Sequence, residues 1–190
     1  MEIGHFTTGC RFKKSVAHRR ALKLSRIALW IALLAFCGAP ARSQALPTTP
    51  GETLTGKRLV LADVLRGHAA VIVVGFSREA GDSCGLWLRT LHGDPALTNL
   101  LVYQIAMLEA APGFIRGVIK SGMRKGVPAA DQEQFLVFTQ DEKLWRSYFG
   151  VTTDKDPYVV LLDAAGQVRW HGHGAAKDLE PLLRAARAGQ

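Results

Sequence analysis

Four apolar runs constrain the fold of this chain more than anything else in it: AAVIVVGF (69–76), LLVYQIAML (100–108), FLVFTQ (135–140) and PYVVLLD (157–163). Each is continuous rather than alternating and rich in Val, Ile, Leu and Phe. That is the pattern of strands buried on both faces, which need a covering layer on each side. KRLVLADVL ahead of them reads as a short strand and a turn of helix. CGLWLRTL (84–91) reads as a short helix through Leu86, Trp87, Leu88 and Leu91, and DEKLWRSYFG (141–150) opens on acid and stops at Gly, as a helix should. Strands separated by helices pair in parallel. After AAGQ, a turn, VRWHGHG (168–174) reads as an antiparallel partner of the fourth run, and AAKDLEPLLRAARAG closes the chain as a helix with Leu179, Leu182, Leu183 and Ala186 on one side. The expectation is an α/β domain over 57–190. It has a mixed central sheet flanked by helices and ends in an antiparallel hairpin plus helix. LPTTPGETLTG (46–56) reads as a linker.

The net charge of +8 suggests nucleic acid at first sight, but residues 1–45 hold eight basic residues against Glu2 alone. The remainder carries 16 basic and 15 acidic residues, a net +1, so the folded domain lacks the basic excess of a nucleic-acid binder. The N-terminal 45 residues instead read as a targeting segment: RRALKLSR, then the apolar IALWIALLAFCGA, then PARSQALP. A cut after Ala45 or Ala41 fits a secretory signal. An uncleaved anchor results if Ala21–Leu24 extend the apolar run, and an Arg-rich mitochondrial transit peptide is the alternative. Bulky Phe36 argues against a lipoprotein cysteine at Cys37, and the long basic lead suggests a true start near Val16. Cleavage would leave Cys84 as the one cysteine, unable to form an internal disulfide.

Cys84 is the candidate catalytic residue. In GFSREAGDSCGLW (75–87) a strand runs into a turn, and the cysteine reads as opening a helix, where helix N–H groups and Arg78 would favour a thiolate while Glu79 and Asp82 oppose it. A dithiol cycle needs a second sulfur, and the place three residues on is Trp87. PGFIRGVIKSGMRKGVP (112–128) reads as a basic amphipathic helix. Phe114, Ile115, Val118, Ile119 and Met123 share one face and Arg116, Lys120 and Arg124 step along another, suited to a membrane surface, an acidic partner, or plain packing on the sheet. On 168–174, Arg169 and Trp170 should point to opposite sides of the strand, and His171 and His173 to the same side. Exposed Trp and Arg would anchor a partner.

These residues carry a resemblance. GKRLVLADVLRGHAAVIVVGF followed by CGLW, and SYFGVTTDKDPYVVLLDAAGQVRWHGHG, resemble the entry and exit of the thioredoxin-like superfamily, including membrane-tethered thioredoxins and peroxiredoxins. The closer likeness, over roughly 57–188, is to the assembly factors of the ATP synthase membrane sector, a thioredoxin-like family best known in mitochondria. It is carried by Leu161, Leu162, Asp163, Val168, Arg169, Trp170 and Gly174 and by the basic FIRGVIKSGMRKGVP segment. The resemblance implies a thioredoxin-like fold with Pro157 cis and facing the helix that carries Cys84. It implies a non-enzymatic assembly or folding factor for a membrane protein complex, with Arg116, Lys120, Arg124, Arg169 and Trp170 as contact residues. No cofactor follows from it. Its partners would be a membrane-complex subunit, a bilayer surface, or both. Its place would be exported, in the periplasm or at the outer face of an inner membrane, with the mitochondrial inner membrane as alternative. The rival is a monothiol or peroxiredoxin-like redox protein using Cys84, although the places of the peroxidase Pro and Thr/Ser hold Ser77 and Gly81. No metal is expected. A Cu(I) or Zn site from Cys84, His171 and His173, as in thioredoxin-like copper chaperones, is the alternative, with exposed hairpin histidines the plainer account.

Overall fold

The computed structural model describes residues 45–177 and 179–188; the basic and apolar N-terminal segment, with Cys10, Cys37 and the targeting signals read there, lies outside the described residues. The four apolar runs become β3 (Ala70–Gly75), β4 (Leu101–Met107), β5 (Phe135–Phe138) and β6 (Tyr158–Leu162). Two more strands, β1 (Pro50–Thr53) and β2 (Arg58–Val60), precede them, and β7 (Val168–His173) follows. The helices are α1 (Leu61–Val64), α2 (Arg78–Gly93), α3 (Gly113–Gly126), α4 (Glu142–Phe149) and α5 (Glu180–Ala188).

All seven strands form one sheet in the order β2-β1-β5-β4-β3-β6-β7. β3, β4 and β5 are parallel, with Ile72 opposite Tyr103 and Ile105 opposite Leu136. β6 runs antiparallel to β3, and β7 antiparallel to β6. Leu161 faces Trp170 but Leu162 faces Val168, so Arg169 is the extra residue of a bulge.

The continuous apolar runs are explained by what covers each face. From β3, Val71 and Val73 point to one side, where Cys84, Trp87 and Leu91 of α2 and Leu182 of α5 meet Val159 and Leu161. Ile72 and Val74 point to the other, against Trp145, Tyr148 and Phe149 of α4 with Ile105 and Val160. Every residue of β3 is buried, and each such Val or Ile contributes about 1.5–3 kcal/mol. A smaller apolar cluster of Leu54, Phe135 and Val137 lies under α3, reached by Met123.

Two sequence expectations change. The stretch read as a linker contains β1, which sits between β2 and β5 with Glu52 opposite Arg58 on one side and Val137 on the other. PGET has no apolar alternation to announce a strand; its pairing partners specify it. Helix α2 begins at Arg78 rather than at Cys84, six residues early, because Ser77 is its cap: the Ser77 hydroxyl accepts the Ala80 N–H at 3.1 Å.

Candidate functional site

The earlier start of α2 relocates its cysteine. Cys84 lies nearly two turns into the helix, beyond the first turn where the helix dipole lowers a thiol's pKa. Its side chain is 0% exposed and packs on the end of β3, where a Cβ on Gly75 would stand 3.2 Å from Cys84 Sγ and 3.2 Å from the Gly81 nitrogen. Gly75 thus lets α2 close on the sheet, and the sulfur fills the space. Burial pushes the thiol up to about 12, only partly opposed by a backbone hydrogen bond. Arg78, Glu79 and Asp82 lie on the exposed side of α2. Trp87, in the place of a second sulfur, is buried and donates its indole N–H to the Gly174 carbonyl at 2.8 Å.

What stands at the N-terminus of α2 is Ser77. Its hydroxyl donates to the Asp154 carbonyl at 2.7 Å, tying the helix cap to the 152–157 loop. Tyr158 organises that loop: its hydroxyl accepts the Thr152 and Thr153 N–H groups, both at 2.9 Å, and donates to the Thr153 carbonyl at 3.0 Å. Arg146 clamps it from the side, donating to Asp154 Oδ1 at 2.5 Å and Glu142 Oε1 at 2.8 Å with its guanidinium 4.8 Å from the Phe76 ring centroid. The hydrogen bond from Arg146 holds the Asp154 carboxyl below its usual range. This Ser77–Asp154–Arg146–Tyr158 network was not read from the sequence. Its one local signal is the Glu142–Arg146 spacing of four on a helix.

Pro157 requires a correction. No peptide bond among the described residues is cis, so Pro157 follows Asp156 in the trans form. The loop is spread around the Tyr158 hydroxyl rather than folded into the tight turn that a cis proline serves, and trans is the ordinary isomer.

On the hairpin, Asp163 collects the Ala165 and Gln167 N–H groups, both at 2.9 Å, and Arg169 Nε at 2.7 Å. Desolvation raises the Asp163 pKa, but those three donors outweigh it and leave the carboxyl below its usual range. Arg169 points outward and Trp170 inward. The Trp170 ring lies 6.3 Å from Trp87 and so close over Gly172 that an added Cβ there would be 2.6 Å from it. The Arg-Trp pair therefore locks the turn and braces the sheet against α2. His173 stacks on Tyr158 with centroids 5.4 Å apart and places Nδ1 2.9 Å from Asp156 Oδ2. His171 and His173 lie opposite Val160 and Tyr158, on the face away from Cys84, which packs with Val159 and Leu161. The sheet separates the three residues of the alternative metal site. Among the described residues no group of three His, Cys, Asp or Glu is placed to hold an ion.

Helix α3 forms where expected, but its faces are turned. Arg116 donates to the carbonyls of Ala111 at 2.8 Å and Glu109 at 2.7 Å, and Lys120 pairs with Glu52 on β1. Arg124 Nε reaches the Leu54 carbonyl at 2.8 Å. The basic stripe is bolted to the domain, while Phe114 and Val118 stand 86% and 73% exposed. The apolar face read as one splits in two: Ile115, Ile119 and Met123 are half-buried and only Phe114 and Val118 look out. No helix among the described residues is long and apolar enough to cross a membrane. A hollow lined by Leu88, Val102, Gln104 and Phe135 holds about 10 Å³, room for a water rather than a substrate.

A search of curated proteins gives no match. Among solved structures, the chain resembles a thiol-disulfide isomerase of Corynebacterium glutamicum at 16% identity and TM-score 0.53, over 78% of this chain and 97% of that one. A Chlorobium tepidum protein named as a thiol:disulfide interchange protein, DsbE, gives 14% identity and TM-score 0.53 over 77% and 96%. A Neisseria meningitidis protein named as a thioredoxin gives 21% identity and TM-score 0.51 over 78% and 93%. At these identities the likeness shows the thioredoxin-like fold alone. The family described as ATP10 protein matches residues 39–187, most of the chain. This chain therefore belongs to the ATP10 family, and is a thioredoxin-fold assembly factor related to those of the ATP synthase.

Proposed function

We propose that the protein works without a chemical step, recognising and holding a subunit of a membrane protein complex while that subunit is assembled. One observation carries the reading: the corner where the fold usually keeps reactive sulfur holds a fully buried Cys84, with Trp87 in place of a second thiol and tied to Gly174. A thiol held near 12 supplies almost no thiolate at neutral pH. No resolving cysteine lies within the described domain.

Recognition then falls to the surface. Helix α3 is one element of it: Lys120 ties it to Glu52 of β1, Arg124 to the Leu54 carbonyl just past that strand and Arg116 to the loop before the helix, and all three add positive charge. The hairpin edge is the second, where Arg169 is exposed and Trp170 half-buried beside it. The N-terminal basic and apolar segment supports export to, or anchoring at, the outer face of an inner membrane, the mitochondrial inner membrane being the alternative.

Photocrosslinking from native membranes tests this. A benzoylphenylalanine replacing Val168, on the exposed edge strand, should capture a subunit of the complex, and Cys84→Ser should capture it equally. Capture that disappears with the thiol would overturn the proposal in favour of the monothiol redox reading.

A further inference from the structure

Helix α3 uses only half of its circumference to hold the domain. At 100° per residue, Phe114, Val118, Ser121 and Lys125 fall within about 60° of one another, and all four are exposed. Phe114 and Val118 are the two most exposed large hydrophobic side chains among the described residues.

The charge around this ridge is one-sided. α3 contains four basic residues and no acidic one. Among the described residues only Lys120 of these four meets a carboxylate, that of Glu52. Arg116 and Arg124 donate to backbone carbonyls, which satisfies their N–H groups without cancelling their charge. Lys125 has no partner among the described residues, and it lies on the ridge itself. Exposed Lys57 lies in the turn that follows Leu54, whose carbonyl holds Arg124.

We infer that the outward ridge of α3 lies on an anionic bilayer surface. Phe114 and Val118 enter the interface and Lys125, on the same ridge, meets the negative headgroups, while Arg124 at the flank adds to the positive field. Isolated apolar side chains in uncompensated positive charge suit a soft, negative surface. A protein partner would need matching acids and a contiguous apolar core closed by a polar rim. This deepens the reading above and rests on it, since it names the surface beside which the factor holds its client.

The test uses the full-length chain with Cys10→Ser, Cys37→Ser and Ser121→Cys. An environment-sensitive dye is placed at residue 121, where buried Cys84 will not compete for label. Vesicles containing phosphatidylglycerol should give a blue-shifted, brighter dye, salt should reverse it, and pure phosphatidylcholine should not reproduce it. Phe114→Asp with Val118→Asp should weaken the response about tenfold, and Lys125→Glu should weaken it through charge alone. A dye placed instead at Lys155→Cys should not respond. Protein that pellets with vesicles while the dye at 121 is unchanged would overturn the inference, because the N-terminal segment alone would then be holding it. An equal response on neutral vesicles would overturn it too, as would a crosslinker at Val118 that captures protein and no lipid. If the vesicle response fails while cells still need the chain to assemble the ATP synthase, the lipid inference alone falls. If the response holds but cells lacking the chain assemble the enzyme normally, the assembly reading falls.

Discussion

Replacing Gly172 by Ala asks whether the Arg-Trp hairpin is a structural brace. Gly172 does not have a positive φ, so Ala meets no backbone strain there. Away from any neighbour such a change would stabilise by about 0.4–1 kcal/mol through the unfolded chain. Here the new Cβ would sit 2.6 Å from Trp170 Cη2 and 2.7 Å from Cζ2. Ordinary contact begins near 3.4 Å, so the indole must retreat by about 0.8 Å toward Trp87, whose own N–H is held at Gly174. Overpacking of this kind costs about 1–3 kcal/mol. For a domain of this size that lowers the Tm by about 2–4 °C per kcal/mol, so about 4–8 °C for 2 kcal/mol. The assay is chemical and thermal unfolding of Gly172→Ala, Trp170→Leu and the double variant. With the indole gone, the alanine should become nearly neutral, a coupling of about 1–2 kcal/mol. A stabilising Gly172→Ala, or an equal cost in both backgrounds, would refute the packing argument.

The other predictions follow from single side chains. At pH 7.4 a thiol near 12 presents a thiolate fraction about a thousandfold or more below that of a free cysteine. Native Cys84 should therefore resist a thiol reagent until urea unfolds the domain, and prompt labelling would contradict its burial. Asp163→Asn should cost about 1–3 kcal/mol at pH 7 by weakening three hydrogen bonds to a charged acceptor. Because the folded pKa of Asp163 is depressed, its contribution is present above the unfolded carboxyl value of about 3.9 and fades as pH falls through the lower folded value. The gap between wild type and Asp163→Asn in urea midpoint should accordingly narrow from pH 7 to pH 3; a constant gap would contradict this. Gly75→Ala should destabilise by crowding Cys84 Sγ, and Cys84→Ala should relieve part of that loss, measured as a coupled pair.

The sheet was legible because it is buried on both faces. Runs such as Val71–Val74 announce a doubly covered strand without any knowledge of partners. The hairpin was legible for a similar reason, since Asp163 and Gly166 mark the turn and Arg169 and Trp170 part across the strand. What escaped depends on distant pairing. β1 owes its conformation to β2 and β5 rather than to PGET, and the start of α2 depends on Ser77 bonding both Ala80 and the Asp154 loop. Residues 78–83 are polar and glycine-containing, so they read as a turn although their cap makes them helix. The orientation of α3 escaped because helical spacing shows which residues share a face but not which face meets the domain. Lys120 and Arg124 decided that by reaching Glu52 and Leu54, both close to each other on the chain yet far from α3 in sequence. Pro157 has the ordinary trans isomer, in a loop gathered by the Tyr158 hydroxyl, a contact that the sequence does not announce.

The most direct measurement is the amount of assembled ATP synthase, resolved on native gels, in cells whose one copy of this gene encodes Cys84→Ala, normalised to the abundance of the protein itself. The recognition account predicts the wild-type amount, because a buried sulfur that only fills space beside Gly75 takes no part in the task. Assembly that collapses while the folded variant persists at normal levels would show that the sole thiol of the domain does the work, and would contradict it.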